Sequence, residues 1–196
     1  MRRLVSLATA LVLALVLLPV GSTPASAATP PLQQLERVVY FPPTGHHAQT
    51  EFLHFWWSHG GVDIFGFPIT EEIGEDGLRV QYFERARFEW HPENPENFRV
   101  QLGLVGRQVT AGRDHPAFTP IRLDQPYPNN DAHWYFPQTG HFLSFGFKNF
   151  WLANGGLDIF GYPISEEFTE NGHTVQYFER ARFEWHPEHR GTRYEV

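Results

Sequence analysis

The chain has 196 residues, no cysteine, 16 prolines, and 15 basic against 22 acidic side chains for a formal charge of −7. A disulfide framework is impossible, and an acidic balance with no basic cluster beyond the first three residues argues against nucleic acid or anionic lipid as a partner. With 41% hydrophobic and 16% aromatic residues, the chain can bury a core and is read as folded.

Met1-Arg2-Arg3 gives a positive start, Leu4 to Val20 is almost wholly apolar, and Ala25-Ser26-Ala27 supplies small residues for cleavage. Residues 1–27 are therefore expected to be a secretory signal peptide. A membrane anchor is the competing reading, but Pro19 and Gly21 end the apolar run and no basic stop-transfer cluster follows. With no cysteine near the cut, a lipid-anchored form is excluded. Arg2-Arg3 has no further twin-arginine support, so general secretion is expected. That gives a secreted or cell-envelope-associated protein with no membrane span after cleavage. Residues 28–38 form an N-terminal extension.

The rest is a tandem duplication. Sliding the chain by 95 residues pairs Tyr40 with Tyr135 and runs without a gap to Glu93 and Glu188, with 35 of 54 pairs identical. The last 14, Val80 to Glu93, recur unchanged from Val175 to Glu188. Repeat 1 is placed at 39–109 and repeat 2 at 132–196. Each is small for an isolated core, so the copies are candidates to pack on one another. The segment 110–131 holds four prolines and no sustained periodicity and is read as a linker. Repeat 2 is C-terminally short, lacking a counterpart of Gln101-Leu102-Gly103-Leu104-Val105-Gly106.

Within each copy, Phe52, Phe55 and Trp56, matched by Phe147, Phe150 and Trp151, follow helical spacing and predict a short helix with a buried stripe. Gly60-Gly61 and Gly155-Gly156 stop it. Asp76-Gly77 and Asn171-Gly172 predict type I′ hairpin turns. Val80 to His91 is either one long strand or two strands turning near Glu84-Arg85. The second option puts Phe83, Ala86 and Phe88 on one face and Tyr82 and Arg87 on the other. The expected fold is α+β, two tandem repeats that are each a short helix plus an antiparallel β-meander.

The stretch Gly61-Val62-Asp63-Ile64-Phe65-Gly66-Phe67-Pro68-Ile69, the hairpin, and Tyr82-Phe83-Glu84-Arg85-Ala86-Arg87-Phe88-Glu89-Trp90-His91-Pro92 together resemble the LGFP-type repeat. Still more similar is the Phe-Pro-x-Thr-Gly-His, Phe-x-x-Phe-Trp, Phe-Gly-x-Pro-Ile pattern found in tandem in exported proteins of Chloroflexi-type bacteria. The resemblance covers both copies. It departs from the LGFP pattern at Arg85-Ala86 and Arg180-Ala181, where glycines are usual, and at Phe65 and Phe160, where leucine is. It implies a non-catalytic module associated with the cell envelope.

Catalytic alternatives find little purchase. His46, Asp63, Glu71, Glu72 and His91 recur as His141, Asp158, Glu166, Glu167 and His186, but without zinc-type spacing or a calcium loop. No metal or cofactor is expected. A glycoside hydrolase needs two facing carboxylates, one held protonated. Glu84 with Glu89, or Glu179 with Glu184, qualify by type, yet each has an arginine within two positions that would favour the ionised form. Nucleophile signatures are absent. The alternatives kept are a glycan- or peptidoglycan-active hydrolase and a structural spacer or surface-layer component.

Binding to cell-wall or extracellular polysaccharide is the leading expectation, because ring faces and planar polar groups can hold sugars without a deep pocket. Candidate contacts are Tyr82, Arg85, Arg87 and Trp90 in repeat 1 and Tyr177, Arg180, Arg182 and Trp185 in repeat 2. Tyr82 and Trp90 are open between a cation–π strut and a ligand platform. Trp56 and Trp151 are expected to be buried. Two weak sites on a flexible tether would gain from effective concentration on a polymer.

Overall fold

A computed structural model of the chain describes residues 38–196. The expected leader and all but the last residue of the 28–38 extension lie outside the described residues. The architecture is α+β, with the same order of elements in both repeats.

Repeat 1 opens with a hairpin, β1 (Val38–Phe41) and β2 (His46–Gln49), which adds a strand pair ahead of the expected helix. Helix α1 (Thr50–Ser58) follows, burying Phe52, Leu53 and Trp56. Gly60 then takes a left-handed φ of 104° and leads into a single turn of helix, α2 (Gly61–Phe65). The meander is β3 (Ile73–Glu75), β4 (Leu78–Tyr82), β5 (Arg87–Trp90) and β6 (Val100–Leu102), antiparallel in chain order. Asp76 and Gly77 both have positive φ, as a type I′ turn requires. Short helix α3 (Val105–Thr110) ends the unit. Repeat 2 gives β7 (His133–Phe136), β8 (His141–Ser144), α4 (Phe145–Ala153), α5 (Gly156–Phe160), β9 (Phe168–Glu170), β10 (His173–Tyr177) and β11 (Arg182–Trp185). Its sheet, among the described residues, has the order β11-β10-β9.

Of the two options for Val80 to His91, the chain takes two strands. The Phe83 N–H donates to the Ala86 carbonyl across the turn, and Tyr82 stands opposite Arg87. The turn is therefore built with residues that rarely favour one. Part of the reason is external: the Glu84 and Arg85 N–H groups donate to the carbonyls of Phe67 and Phe65, so the segment after α2 holds it from outside. Repeat 2 makes the same bonds from Glu179 and Arg180 to Tyr162 and Phe160.

Each core is a nest of phenylalanines. Phe88, fully buried, has the rings of Phe52, Phe55, Phe65 and Phe83 with centroids 4.2–5.9 Å away, and Phe183 has Phe147, Phe150, Phe160 and Phe178 at 4.2–5.9 Å. Most of these pairs meet edge to face, each worth about 0.5–1.5 kcal/mol beyond the area it buries. Trp56 and Trp151 are buried as expected, and their indole N–H groups donate to the carbonyls of Gly66 and Gly161 at 2.8 and 3.0 Å. Gln81 and Gln176, both wholly buried, fasten the hairpin to the meander: Gln81 Nε2 donates to the carbonyls of His47 and Thr70.

The two nests belong to one continuous core that draws on both repeats. Segment 110–131, read as a flexible linker, is instead docked on repeat 2. Arg113 pairs with Glu170 at 2.6 Å, the Glu166 N–H donates to the Ala117 carbonyl at 2.7 Å, and the Ile121 N–H donates to the Gly140 carbonyl at 2.8 Å. Phe118 packs with Phe168 on a second small cluster of Ile164, Val175 and Tyr177. Prolines suit this segment because they lower the entropy of an extended chain that makes few backbone hydrogen bonds of its own.

Candidate functional site

The meander places the eight candidate residues in two equivalent sets. In repeat 1 the Tyr82 hydroxyl donates to Glu75 Oε2 at 2.9 Å, and Arg87 pairs with Glu75 at 3.1 Å and with Glu89. In repeat 2 the Tyr177 hydroxyl donates to Glu170 Oε2 at 2.8 Å, and Arg182 pairs with Glu170 at 3.1 Å and with Glu184. Cross-strand register forces this, since Tyr82 opposite Arg87 and Tyr177 opposite Arg182 put phenol and guanidinium on one face.

That network takes the buried Arg87 and Tyr177 out of the expected sugar platform. Arg87 is buried, with a side chain 10% exposed and its donors engaged by two carboxylates. Tyr177 is buried beneath Phe118 and Phe168, and Arg113 donates to its hydroxyl at 2.9 Å. Tyr82, half-buried, has Arg87 over its ring. Arg182 is also committed to carboxylates. Trp90 is half-buried under the Arg79 guanidinium, 4.9 Å from its ring, which makes it a cation–π strut.

The remaining three lie nearer solvent. Arg85 is exposed and donates to the Val62 carbonyl at 2.9 Å, tying the turn to α2. Arg180 donates to the Leu157 carbonyl in the same way and also, through Nε, to the Leu102 carbonyl of repeat 1 at 3.1 Å. Trp185 is 39% exposed, because Thr174 stands where repeat 1 has Arg79.

Where the repeats meet, the two turns leave an open cleft of about 1110 Å³. Repeat 1 lines it with Asp63, Phe67 and Arg85, and repeat 2 with Asn149, Phe150, Arg180, Glu184, His186 and Tyr194. Tyr194 is 59% exposed, and Arg193 beside it pairs with Asp63 across the cleft at 2.8 Å. A smaller cleft of about 370 Å³ lies between α3 and the two turns.

Carboxylates near these clefts are occupied. Glu84 accepts from the Phe67 N–H at 3.0 Å, and Glu179 accepts from the Tyr162 N–H at 3.1 Å and pairs with Arg107 at 2.6 Å. Glu170 is held below the usual carboxylate range, first by its bond from Arg113 and then by Tyr177 and Arg182, against some desolvation. Among the described residues one carboxyl moves upward: Glu167, raised by desolvation and then by the Glu166 charge, and it lines neither cleft.

For metals, the residues singled out from the sequence divide. His141 is buried and faces Glu166 at 3.1 Å, while His46 and His47 share Glu71. His186 joins Glu184 and His173 in a three-group cluster that spacing did not reveal. His173 has Leu78 as its counterpart, so comparing the copies for shared residues passes over it. Glu75 and Glu170, which organise the hairpin networks, do recur and were within reach of that comparison.

No protein-family model matches the chain, and a search of curated proteins finds no match.

Proposed function

We propose that this is an exported, non-catalytic repeat protein that attaches to cell-envelope glycan or another extracellular polysaccharide, and that contact is made in the cleft between the repeats. The LGFP-type resemblance belongs to the same proposal. The observation that carries it is the cleft's construction. Both halves contribute to an open trough where an exposed phenol, Tyr194, which has Arg193 over one face of its ring and keeps the other for a ligand, and an exposed amide, Asn149, stand with Arg85. A ring face with planar donors suits a polyhydroxylated chain, and an open trough admits a polymer that an enclosed pocket would not. Charge supports a neutral or weakly charged ligand, since Arg85, Arg180, Arg182 and Arg193 are matched by Asp63, Glu84, Glu184 and Glu195.

A non-catalytic role is supported by the state of the acids. An inverting or retaining hydrolase needs a protonated carboxyl facing a second one across the cleft, and the cleft-lining Glu84 and Glu184 are bound by a backbone N–H and an arginine. No helix of the described residues is long and apolar enough to cross a membrane. The spacer reading is favoured by one observation, the bonding of β6 and α3 of repeat 1 to the turn of repeat 2, which fixes the repeats into a single unit.

Co-sedimentation with purified peptidoglycan sacculi, chitin and cellulose tests the proposal. Retention is expected on at least one polymer, falling about tenfold in a Tyr194→Ala, Asn149→Ala double variant, the loss of one stacked ring and its donor. Trp90→Ala with Trp185→Ala should leave retention unchanged. Retention on none of the polymers favours the spacer, and release of new reducing ends from any of them overturns the non-catalytic reading.

A further inference from the structure

The cross-strand pairing of β10 and β11 puts two imidazoles and a carboxylate on one patch of repeat 2. Thr174 stands opposite Trp185 and Val175 opposite Glu184, so one step along the ladder His173 meets His186, with ring centroids 4.8 Å apart. Glu184 lies two residues before His186 on the same face of the strand. Its Oε1 is 3.2 Å from His186 Nε2 and 3.7 Å from His173 Nδ1, and all three ligating atoms lie within 4.8 Å of one another. In a tetrahedral site with bonds of about 2.0–2.1 Å, neighbouring ligand atoms are about 3.3–3.4 Å apart. Two of the separations bracket that value, and rotation of the part-exposed His173 ring closes the third.

The surroundings orient these groups as metal ligands are oriented elsewhere. His186 Nδ1 sits 2.7 Å from Glu188 Oε1. A proton on Nδ1 shared with Glu188 leaves the Nε2 lone pair directed at the cluster. Glu184 is held from behind, its Oε2 accepting from Arg182, which leaves Oε1 for the imidazoles. All three side chains are half-buried, so an ion would be reachable from solvent and keep open positions for water.

We infer that His173, Glu184 and His186 form a binding site for a first-row transition dication of the zinc class, clipping β10 to β11 in repeat 2 alone. Two imidazoles with one carboxylate favour zinc, copper or nickel over magnesium and calcium, which prefer all-oxygen shells. Repeat 1 is a built-in control. It has Glu89 and His91 in the same relation, with His91 Nε2 3.3 Å from Glu89 Oε2 and His91 Nδ1 3.0 Å from Glu93, but Leu78 stands in place of the third ligand.

The test is Zn²⁺ titration of the full untagged chain by calorimetry, with Co²⁺ absorption reporting coordination geometry. One equivalent is expected. His173→Leu installs the side chain that repeat 1 already carries there and should lose the site, at least about a hundredfold in affinity, without lowering metal-free thermal stability. Leu78→His should add a second equivalent through Glu89 and His91. A His173→Leu chain that binds Zn²⁺ as before, a Leu78→His chain that still binds one equivalent, or a native chain that binds none overturns the site.

Discussion

Arg180 Nε donates to the Leu102 carbonyl at 3.1 Å, joining the turn of repeat 2 to the end of the meander in repeat 1. Close by, Arg107 pairs with Glu179 at 2.6 Å and its N–H donates to the Glu179 carbonyl at 3.2 Å. The β6–α3 segment of repeat 1 thus caps the turn of repeat 2. Among the described residues, repeat 1 supplies this seal and repeat 2 receives it.

Gly106 is where the seal is tightest. A Cβ there would lie 1.9 Å from the Phe178 carbonyl oxygen, a backbone atom that cannot step aside. Gly106→Ala is expected to destabilise the protein by about 2–3 kcal/mol, read as a lowered urea midpoint. Gly146→Ala is the counterpart, because a Cβ in α4 at that position meets nothing within 4 Å. It should raise the midpoint, reflecting a stability gain of about 0.5–1 kcal/mol through helix propensity. Equal effects from the two substitutions would mean the repeats are not sealed at Gly106.

Much of this was legible from the residues. Helical spacing located α1 and α4, and Asp76-Gly77 with Asn171-Gly172 located the hairpins, because those signals act over a few residues. The turn at Glu84-Arg85 stayed open between two readings since its partners, the carbonyls of Phe65 and Phe67, lie about twenty residues upstream and give no local sign. Candidate ligand residues fared worse for a related reason. Tyr82 and Arg87 look like an exposed recognition pair in one dimension, but the register that sets them side by side also delivers Glu75 and Glu89 to satisfy them. Segment 110–131 resembles a free linker in composition, and only its contacts with Glu170 and Gly140 reveal a docked one.

The indole bonds at Trp56 and Trp151 predict a second pair of variants. Phenylalanine keeps most of the ring but leaves the buried carbonyl of Gly66 or Gly161 without its donor. Each of Trp56→Phe and Trp151→Phe should cost about 1–3 kcal/mol in chemical denaturation, most of it from the unsatisfied carbonyl. A matching pair of losses is expected because the two sites have the same geometry.

The pairing of Arg113 with Glu170 predicts an acid dependence. A carboxyl whose folded pKa lies below its usual 4.5 contributes stability above that value and loses it as pH falls through the lowered one. The urea midpoint of the native chain should therefore drop as the solution is acidified below about pH 4.5. Arg113→Ala removes the first cause of the lowering, so its midpoint is lower at neutral pH and falls less steeply over the same interval. Parallel curves for the two chains would assign the acid sensitivity elsewhere.

Arg87 and Arg182 occupy equivalent positions in differing surroundings, and substitution should separate them. The Arg87 side chain is 10% exposed between Glu75 and Glu89, and Gln108 adds an acceptor at 3.3 Å. Arg182, at 29% exposure, shares Glu170 with Arg113, so another guanidinium remains if it is removed. Arg87→Met leaves two carboxylates facing each other with no cation between them and is expected to cost about 3–5 kcal/mol, as for a broken buried pair. Arg182→Met should cost well under half of that, since Glu170 keeps its bond to Arg113 and water reaches the site. Thermal unfolding of the two variants side by side checks the ordering. A larger loss from Arg182→Met would mean that the repeat 2 network, and not the more deeply buried repeat 1 network, anchors the meander.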